Sequence, residues 1–257
     1  MKTAATNLAP DAAAKRRAGW LRRPVQLQGG QKSAQSKAKC GHLFRAGKWA
    51  LWIFLLLFLV RTFIGEASVV PTASMEGTIL VGDHLFWNKA LYGPEIPFTH
   101  WRLPRLKTVP RGEIVAFHYP LDPAQIFLKR AVAIGGDLVE IHNDVVYVNG
   151  TEVRESYALH HHTLCFRFAP SEMAARRVPA GALFMLGDNR DFSSDSRDWG
   201  VVPAENVIGS PLIVFWSYDA PSSEWLDEQP GHRLRFFGSV CAHLLTRTRW
   251  TRTGTLL

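Results

Sequence analysis

An antiparallel all-β domain behind one N-terminal membrane helix is the fold class that the sequence predicts. Three observations support it: twelve consecutive apolar residues at 49–60, five later segments rich in β-branched and aromatic residues, and an Asn-Gly pair inside one of these segments. Strands favour such side chains, and Asn-Gly favours a two-residue hairpin turn. At 257 residues and 47% hydrophobic composition, the chain is long enough to bury one sizeable core.

Residues 1–47 form a basic tail. The first 48 residues hold eleven Lys and Arg side chains and one acidic residue, Asp11, so this stretch carries +10 and the rest of the chain −2. Its low content of large apolar residues predicts disorder. We interpret the charge as a cluster that keeps the N-terminus in the cytoplasm. Contact with nucleic acid or anionic lipid headgroups, and a mitochondrial transit peptide, are the alternatives. Nucleic acid is not the expected partner.

Residues 48–67 predict a transmembrane helix. About 20 helical residues cross the ~30 Å apolar core of a bilayer, and Arg61 lies near the outer end, where its side chain can reach the interface. A cleaved signal peptide is disfavoured because the preceding basic region is long and no Ala-x-Ala site follows the run. A buried helix is disfavoured because the run shows no polar face. The remainder of the protein then lies outside the cytoplasm.

Residues 68–220 are predicted to form the β-domain, followed by a C-terminal extension at 221–257. The predicted strand segments are 113–120, 127–134, 138–153, 182–188 and 207–216. Asn149-Gly150 predicts a type I′ hairpin turn, which requires positive φ at both positions. The proline-broken stretch 94–111 predicts a loop or an edge ribbon.

Cysteine and histidine spacing predicts no metal or cofactor. Cys40, Cys165 and Cys241 lack CxxC spacing, which argues against zinc. If the β-domain lies outside the cytoplasm, Cys165 and Cys241 are candidates for one disulfide. The run His160 to His162 near Cys165 lacks a carboxylate partner in the sequence.

Three stretches carry the chemical information: PTASMEGTILVGD (71–83), FLKRAVAIGGD (127–137) and LGDNRDFSSDSRDWGVVP (186–203). Taken singly, they are also compatible with a turn serine, a solvated lysine and a loop of surface ion pairs. However, Lys129 and Arg130 are adjacent in an apolar run, so one of them should point inward if the strand alternates. Burial favours the neutral amine of a lysine, and a neutral lysine can act as the general base for a serine such as Ser74.

In this order, the three stretches resemble the type I signal peptidases of bacteria, which are membrane-anchored serine/lysine endopeptidases. The resemblance covers residues 50–218. It implies an antiparallel β catalytic domain of signal-peptidase type that removes signal peptides from exported preproteins. It also implies a single-pass protein of the plasma membrane, with the catalytic domain on the outer, periplasmic side. Signal peptides and the lipid bilayer are then the expected partners.

The resemblance assigns Ser74 as the nucleophile and Lys129 as its general base. In this family the backbone N–H of the nucleophile and a hydroxyl two residues before it hold the oxyanion. A later serine orients the lysine amine, and charged pairs support its loop. The residues at these oxyanion and supporting positions are Thr72, Ser193, Asp195, Arg197, Arg130 and Asp188.

The resemblance also implies shallow pockets for small residues, such as alanine, at the first and third positions before the cut. The substrate would lie as an added strand along residues 70–74 and 126–129. The matching positions for the inner pocket are Val70, Pro71, Met75, Ile79, Phe127 and Leu128, and those for the other pocket are Ala116 and Leu128.

Two departures and two rival functions accompany the resemblance. Gly77 stands where the family usually has proline, Gly135-Gly136 stands where it often has Pro-Gly, and the resemblance assigns no role to residues 154–180. One rival is a related serine/lysine peptidase dedicated to a single pilin. The other is an inactive, membrane-tethered β-domain that binds exported chains. The presence of both Ser74 and Lys129 argues against a binding module.

Overall fold

A computed structural model of the chain describes residues 45, 47–96, 99, 101–161 and 170–257. Residues 1–44 of the predicted basic tail lie outside the described residues. Cys40, Cys165 and His162 also lie outside them, and so does the predicted Cys165–Cys241 pairing. Cys241 itself is exposed.

Within the described residues, one helix is long and apolar enough to cross a membrane. This helix, α1, is Gly47–Ile64, with a mean hydropathy of 1.7 over its 18 residues. Its last turn, Val60–Ile64, is a π-helix that closes with a hydrogen bond from the Gly65 N–H to the Val60 carbonyl. Arg61 pairs with Glu66 at 2.9 Å. The length and composition of α1 are compatible with the predicted membrane anchor.

The larger sheet lies in the compact unit Leu55–Leu257 and is antiparallel. Among the described residues it contains eight strands: β1 (Gly65–Val69), β2 (Asp83–Asn88), β3 (Ile114–Tyr119), β4 (Asp122–Ile134), β9 (Ala182–Leu186), β10 (Val202–Pro203), β11 (Val207–Ser217) and β12 (Thr255–Leu256). Their order is β1-β2-β11-β3-β4-β9-β10, and β12 pairs with β11. The predicted mainly β, antiparallel fold class is confirmed.

The smaller sheet is a meander with one added strand. Within the described part of the chain it consists of β5 (Leu138–His142), β6 (Val145–Val148), β7 (Thr151–Glu152) and β8 (Met173–Arg177), in the order β7-β6-β5-β8. Asn149 and Gly150 have φ of 54° and 75° between β6 and β7, which confirms the predicted hairpin. Asn143 and Asp144, with φ of 49° and 67°, make a second such turn that the sequence analysis did not separate.

Three apolar clusters hold the sheets together. One joins the smaller sheet to β4 and β9 and includes the buried Val139, Val148 and Phe184. The second surrounds Phe117 and Met185. A third lies under the turn that carries Ser74: its members are Val70, Met75, Ile79, Leu85, Trp87, Ile114, Ala116 and Val214. This third cluster fixes the serine turn to β2 and β3.

Helix α2 (Ser196–Trp199) lies between β9 and β10. Three further helices lie between β11 and β12: α3 (Ser222–Leu226), α4 (Pro230–Ala242) and α5 (Leu244–Arg247). Helix α4 packs against α3 through Phe236 and Trp225, whose rings lie 4.8 Å apart. The chain then returns to the larger sheet, where Thr255 pairs with Val214 of β11.

All five predicted strand segments form strands, whereas β1, β2, β8, β10 and β12 were not predicted. The missed strands are short, and β8 is largely exposed and ends in two arginines, so apolar alternation does not mark it. Residues 94–111 contain no named strand where they are described, and an isolated bridge joins Glu95 to Arg102.

Because Phe184 is buried in the core, we expect its truncation to lower the free energy of unfolding substantially. Its side chain is fully buried between the two sheets. We expect Phe184→Ala to lower the free energy of unfolding by about 3 to 5 kcal/mol, because the lost contacts and the cavity add. Leu121→Ala, at a position 71% exposed, should change it by less than about 0.5 kcal/mol. Denaturant unfolding of both variants tests this, and equal midpoints would contradict it.

Candidate active site

Ser74 lies on a short 3₁₀ turn between β1 and β2. The turn is Ala73–Met75, and its N-cap is the exposed Thr72. Met75 is 1% exposed and packs with Val70 and Ile79. The Ile79 N–H donates to the Met75 carbonyl at 2.8 Å. The apolar side chain beside the serine therefore anchors the turn and leaves the hydroxyl directed away from the core.

Lys129 reaches this serine from β4. Its Nζ lies 2.6 Å from Ser74 Oγ, although 55 residues separate the two in the chain. The lysine is only 4% exposed, and its burial lowers the pKa of the amine to about 8. Arg197 adds to this lowering, while Asp195 and Asp188 oppose it. The predicted inward orientation of one residue of the Lys129-Arg130 pair is confirmed.

The loop 187–197 closes around the lysine with a buried ion pair. Asp195 caps α2 by accepting the Arg197 N–H. Its carboxylate also accepts two hydrogen bonds from the Arg197 guanidinium, both at 2.8 Å. The side chains are 0% and 2% exposed. The Gly187 N–H donates to the same carboxylate at 3.2 Å. The loop is therefore fixed by charge-assisted hydrogen bonds.

Arg130 makes a second such pair with Asp188. Its Nε and Nη2 donate to the two carboxylate oxygens at 2.8 and 2.6 Å. Thr78, four residues after the serine, donates its hydroxyl to the same carboxylate at 2.6 Å. The predicted residues Asp188 and Arg130 thus connect the serine turn to the third sequence motif.

Ser193 lies against this centre, but it does not hydrogen-bond Lys129. Its Oγ is buried and has no hydrogen-bond partner among the described residues. A Cβ added to Gly187 would come within 2.2 Å of Ser193 Oγ and 2.5 Å of the Ser74 carbonyl. Glycine at 187 is therefore what allows the two serine-bearing segments to approach each other. The role predicted for Ser193 stays a prediction, as does that of Thr72.

The predicted substrate-binding residues lie on two faces of β4. Four of them, Val70, Met75, Ile79 and Ala116, are buried in one cluster, with Leu128 packed against it. Phe127 instead packs with the cluster around Phe117, and its ring lies 5.8 Å from Lys129 Nζ. Pro71 is half-buried beside the turn.

Two groups of residues that support the turn were not singled out from the sequence. Asn189 is buried: its Nδ2 donates to the Ala73 carbonyl at 3.1 Å, and its backbone N–H donates to the Ser74 carbonyl at 3.2 Å. Asn189 lies in the Gly-Asp-Asn-Arg-Asp stretch of the third motif, and this position could have identified it from the sequence. Arg252 Nη2 donates to the Thr78 carbonyl at 2.9 Å and to Asp83 at 2.6 Å.

No group of three potential metal ligands occurs in the described ranges.

The fully buried Asp83, which Arg252 pairs with, accepts the Leu80 N–H at 2.9 Å. Arg249 donates to the Val81 carbonyl at 2.8 Å. The loop after the serine is thus held by hydrogen bonds and ion pairs from the C-terminal segment.

The β-fold, with a serine on a rigid turn beside a buried amine, is typical of a serine hydrolase. The family model described as "Signal peptidase, peptidase S26" matches residues 43–216. The chain belongs to this family and is a serine peptidase. Membership implies cleavage of signal peptides from preproteins.

Curated relatives agree with this assignment. The chain is 34% identical over 180 residues to "Probable signal peptidase I-1" of Synechocystis sp., covering 66% of this chain and 79% of that protein. It is 31% identical to "Signal peptidase I" of Pseudomonas fluorescens, covering 70% and 74%. The corresponding protein of Aquifex aeolicus is 31% identical, with 66% and 83% covered. A solved signal peptidase I from Enterococcus faecalis, 30% identical, aligns with a TM-score of 0.32 over 40% of this chain and 97% of its own.

The C-terminal contacts predict that Arg252→Ala destabilises the serine loop. The change leaves the Asp83 carboxylate, which is 0% exposed, without its cationic partner. Loss of one partner of a buried pair costs about 3 kcal/mol. We therefore expect a lower unfolding midpoint. Arg235→Ala, on the exposed face of α4, is the matched control and should be neutral. Thermal unfolding of both variants measures the difference, and the prediction is wrong if both behave like the parent chain.

Proposed function

We propose that the chain is a membrane-bound endopeptidase that cleaves signal peptides after small residues, with Ser74 as nucleophile and Lys129 as general base. The single observation that carries this proposal is the 2.6 Å separation of Lys129 Nζ and Ser74 Oγ around a lysine that is 4% exposed. A base within hydrogen-bonding distance and with a pKa near the working pH is what general-base catalysis requires.

In the first half of the reaction, the neutral Lys129 amine takes the proton of Ser74 as Oγ attacks the scissile carbonyl carbon. The Ser74 N–H and the Thr72 hydroxyl are the proposed donors to the oxyanion, and such donors are worth about 3 kcal/mol in the transition state. The lysine then gives its proton to the departing amine, and the acyl group stays on Ser74. Water deprotonated by Lys129 releases the signal peptide.

The supporting residues act on the position of Lys129. Asp195 and Arg197 form a buried pair that fixes the loop beside the amine. Arg130 pairs with Asp188, whose carboxylate raises the pKa of the lysine. Ser193, whose buried Oγ has no hydrogen-bond partner among the described residues, is the residue we propose to orient the amine. These contacts support a site that is arranged before the substrate binds.

Two open strand edges support binding of an extended substrate. Strand β9 pairs with Arg130 to Ile134 of β4, so residues 126–129 have one edge that is unpaired within the described strands. Strand β1 is the terminal strand of the larger sheet, next to the serine turn. A peptide added between these edges would place its side chains over Val70, Met75, Ile79, Ala116 and Leu128. Main-chain hydrogen bonds supply affinity in this mode of binding.

The proposed topology places the N-terminus in the cytoplasm and the β-domain on the outer side of the bacterial plasma membrane. Positive charge before α1 and near-neutrality after it support this orientation. Ser74 follows the end of α1 by ten residues, a reach of at most ~35 Å of extended chain. The site would then lie where signal peptides emerge from the bilayer.

The proposed dyad predicts a pH-dependent rate that both residues control. Because the neutral amine is the active form, the rate should rise with pH through the pKa of Lys129, at about 8, and level off above it. We expect Ser74→Ala and Lys129→Ala to lower kcat by about 10⁴-fold or more. The measurement is cleavage of a purified precursor with an Ala-x-Ala site in detergent, from pH 6 to 10.

Circular dichroism of the two variants is the control for folding. Cleavage that survives either substitution in a folded chain would sink the proposed dyad. A folded parent chain that cuts no precursor would favour a binding domain instead.

The proposed pockets predict strong discrimination at the first position before the cut. Replacing alanine there by leucine or tryptophan in the precursor should lower kcat/KM by more than about 100-fold, since the buried side chains around Ala116 and Met75 leave little room. The same replacement at the second position, whose side chain points away from the sheet in an extended peptide, is the control. Equal rates for both precursors would contradict the pocket assignment.

A further inference from the structure

Residues 154–161, to which the sequence analysis assigns no role, lie against the loop 187–197. The Leu159 N–H donates to the Asp188 carbonyl at 2.8 Å, and the Arg190 N–H donates to the Leu159 carbonyl at 3.0 Å. Leu159 therefore forms a parallel bridge with Asn189. The His161 N–H donates to the Asp191 carboxylate at 2.6 Å. This segment, called here the 154–161 segment, is thus joined to the third motif along four consecutive residues of that motif.

A buried ion pair fixes one end of the segment. Glu155 accepts a hydrogen bond from Arg190 Nη1 at 2.6 Å, and its other oxygen lies 2.5 Å from Nη2. The side chains of Glu155 and Arg190 are 8% and 2% exposed. The Arg190 carbonyl in turn accepts a hydrogen bond from Arg197 at 2.7 Å. The segment therefore supplies the counter-charge for an arginine that contacts the pair next to Lys129.

Tyr157 covers the second ion pair of the site. The guanidinium carbon of Arg130 lies 3.8 Å from the centre of the Tyr157 ring, and the tyrosine hydroxyl donates to Glu155 at 3.0 Å. Arg130 binds Asp188 with both of its forked nitrogens. The tyrosine ring thus lies against the guanidinium, a contact in which aromatic faces attract guanidinium groups.

The same tyrosine meets the serine turn through its backbone. Gly77 has φ of +104°, and a Cβ at this position would lie 2.8 Å from the Tyr157 carbonyl oxygen. Proline, with φ fixed near −65°, cannot adopt this conformation. Glycine at position 77 therefore leaves the space that the Tyr157 carbonyl occupies.

We infer that the 154–161 segment positions the catalytic centre and that Tyr157 is a positioning residue, acting through Arg130 and Asp188 on the serine turn and the lysine. The inference rests on the proposed function of Ser74 and Lys129. Asp188 touches the serine turn through Thr78, so motion of Arg130 reaches both the nucleophile and the electrostatic surroundings of its base.

The ring of Tyr157, rather than its hydroxyl, is the group that holds Arg130. Tyr157→Phe should therefore keep kcat within about twofold of the parent value, whereas Tyr157→Ala should lower kcat by about 10- to 100-fold with little change in KM, as expected for misplaced catalytic groups. Tyr147→Ala, at a half-buried tyrosine of the smaller sheet, is the matched control and should leave kcat unchanged. All variants are made in the full chain in detergent.

A pH profile separates positioning from mere destabilisation. The charged groups that act on Lys129 are Asp188, Asp195 and Arg197. If Arg130 loosens in Tyr157→Ala, Asp188 is less neutralised, and the acid limb of the rate profile should move to higher pH. An unshifted limb in Tyr157→Ala, a parent kcat in Tyr157→Ala, or an equal loss in Tyr157→Phe overturns the inference. Persistent cleavage by Ser74→Ala would instead overturn the proposed function, so the two failures are distinct.

Discussion

Burial of one lysine amine against one serine hydroxyl is the interaction on which the rest of the structure depends. Lowering the pKa of Lys129 from 10.5 to about 8 corresponds to roughly 3 kcal/mol of lost stability for the charged form, at ~1.4 kcal/mol for each tenfold change. The fold must offset this cost. Three apolar clusters and the hydrogen bonds of two sheets supply that stability.

The same burial requires that each nearby charge be neutralised locally. Four arginine–carboxylate pairs meet this need: Arg130–Asp188, Arg197–Asp195, Arg190–Glu155 and Arg252–Asp83. Arginine suits this role because its planar fork satisfies both oxygens of a carboxylate and remains charged. The four carboxylates are nearly or fully buried, so each pair also fixes the relative position of two segments. Around the buried Lys129, each buried carboxylate of the site is therefore balanced by its own arginine.

The sequence predicted those parts of the fold and of the candidate site whose signals lie in neighbouring residues. The apolar run around Lys129, the Asn-Gly hairpin and the strand-rich segments have signals in neighbouring residues. By contrast, Arg190 and Glu155 are 35 residues apart, and Arg252 and Asp83 are 169 residues apart. No periodicity links such partners, since an arginine in a polar stretch looks the same whether it is solvated or buried. Strands β8 and β12 were missed for a related reason: their side chains are mostly exposed, and pairing alone defines them.

The C-terminal contacts of the serine loop have a consequence for the biogenesis of the protein. Arg252 lies 174 residues after Thr78, whose carbonyl it binds. During synthesis, the β-strands next to Ser74 are complete long before this arginine leaves the ribosome. The serine loop therefore obtains this contact only when the polypeptide has been made through Arg252. A nascent chain that ends before Arg252 would consequently carry Ser74 on a loop that lacks this contact.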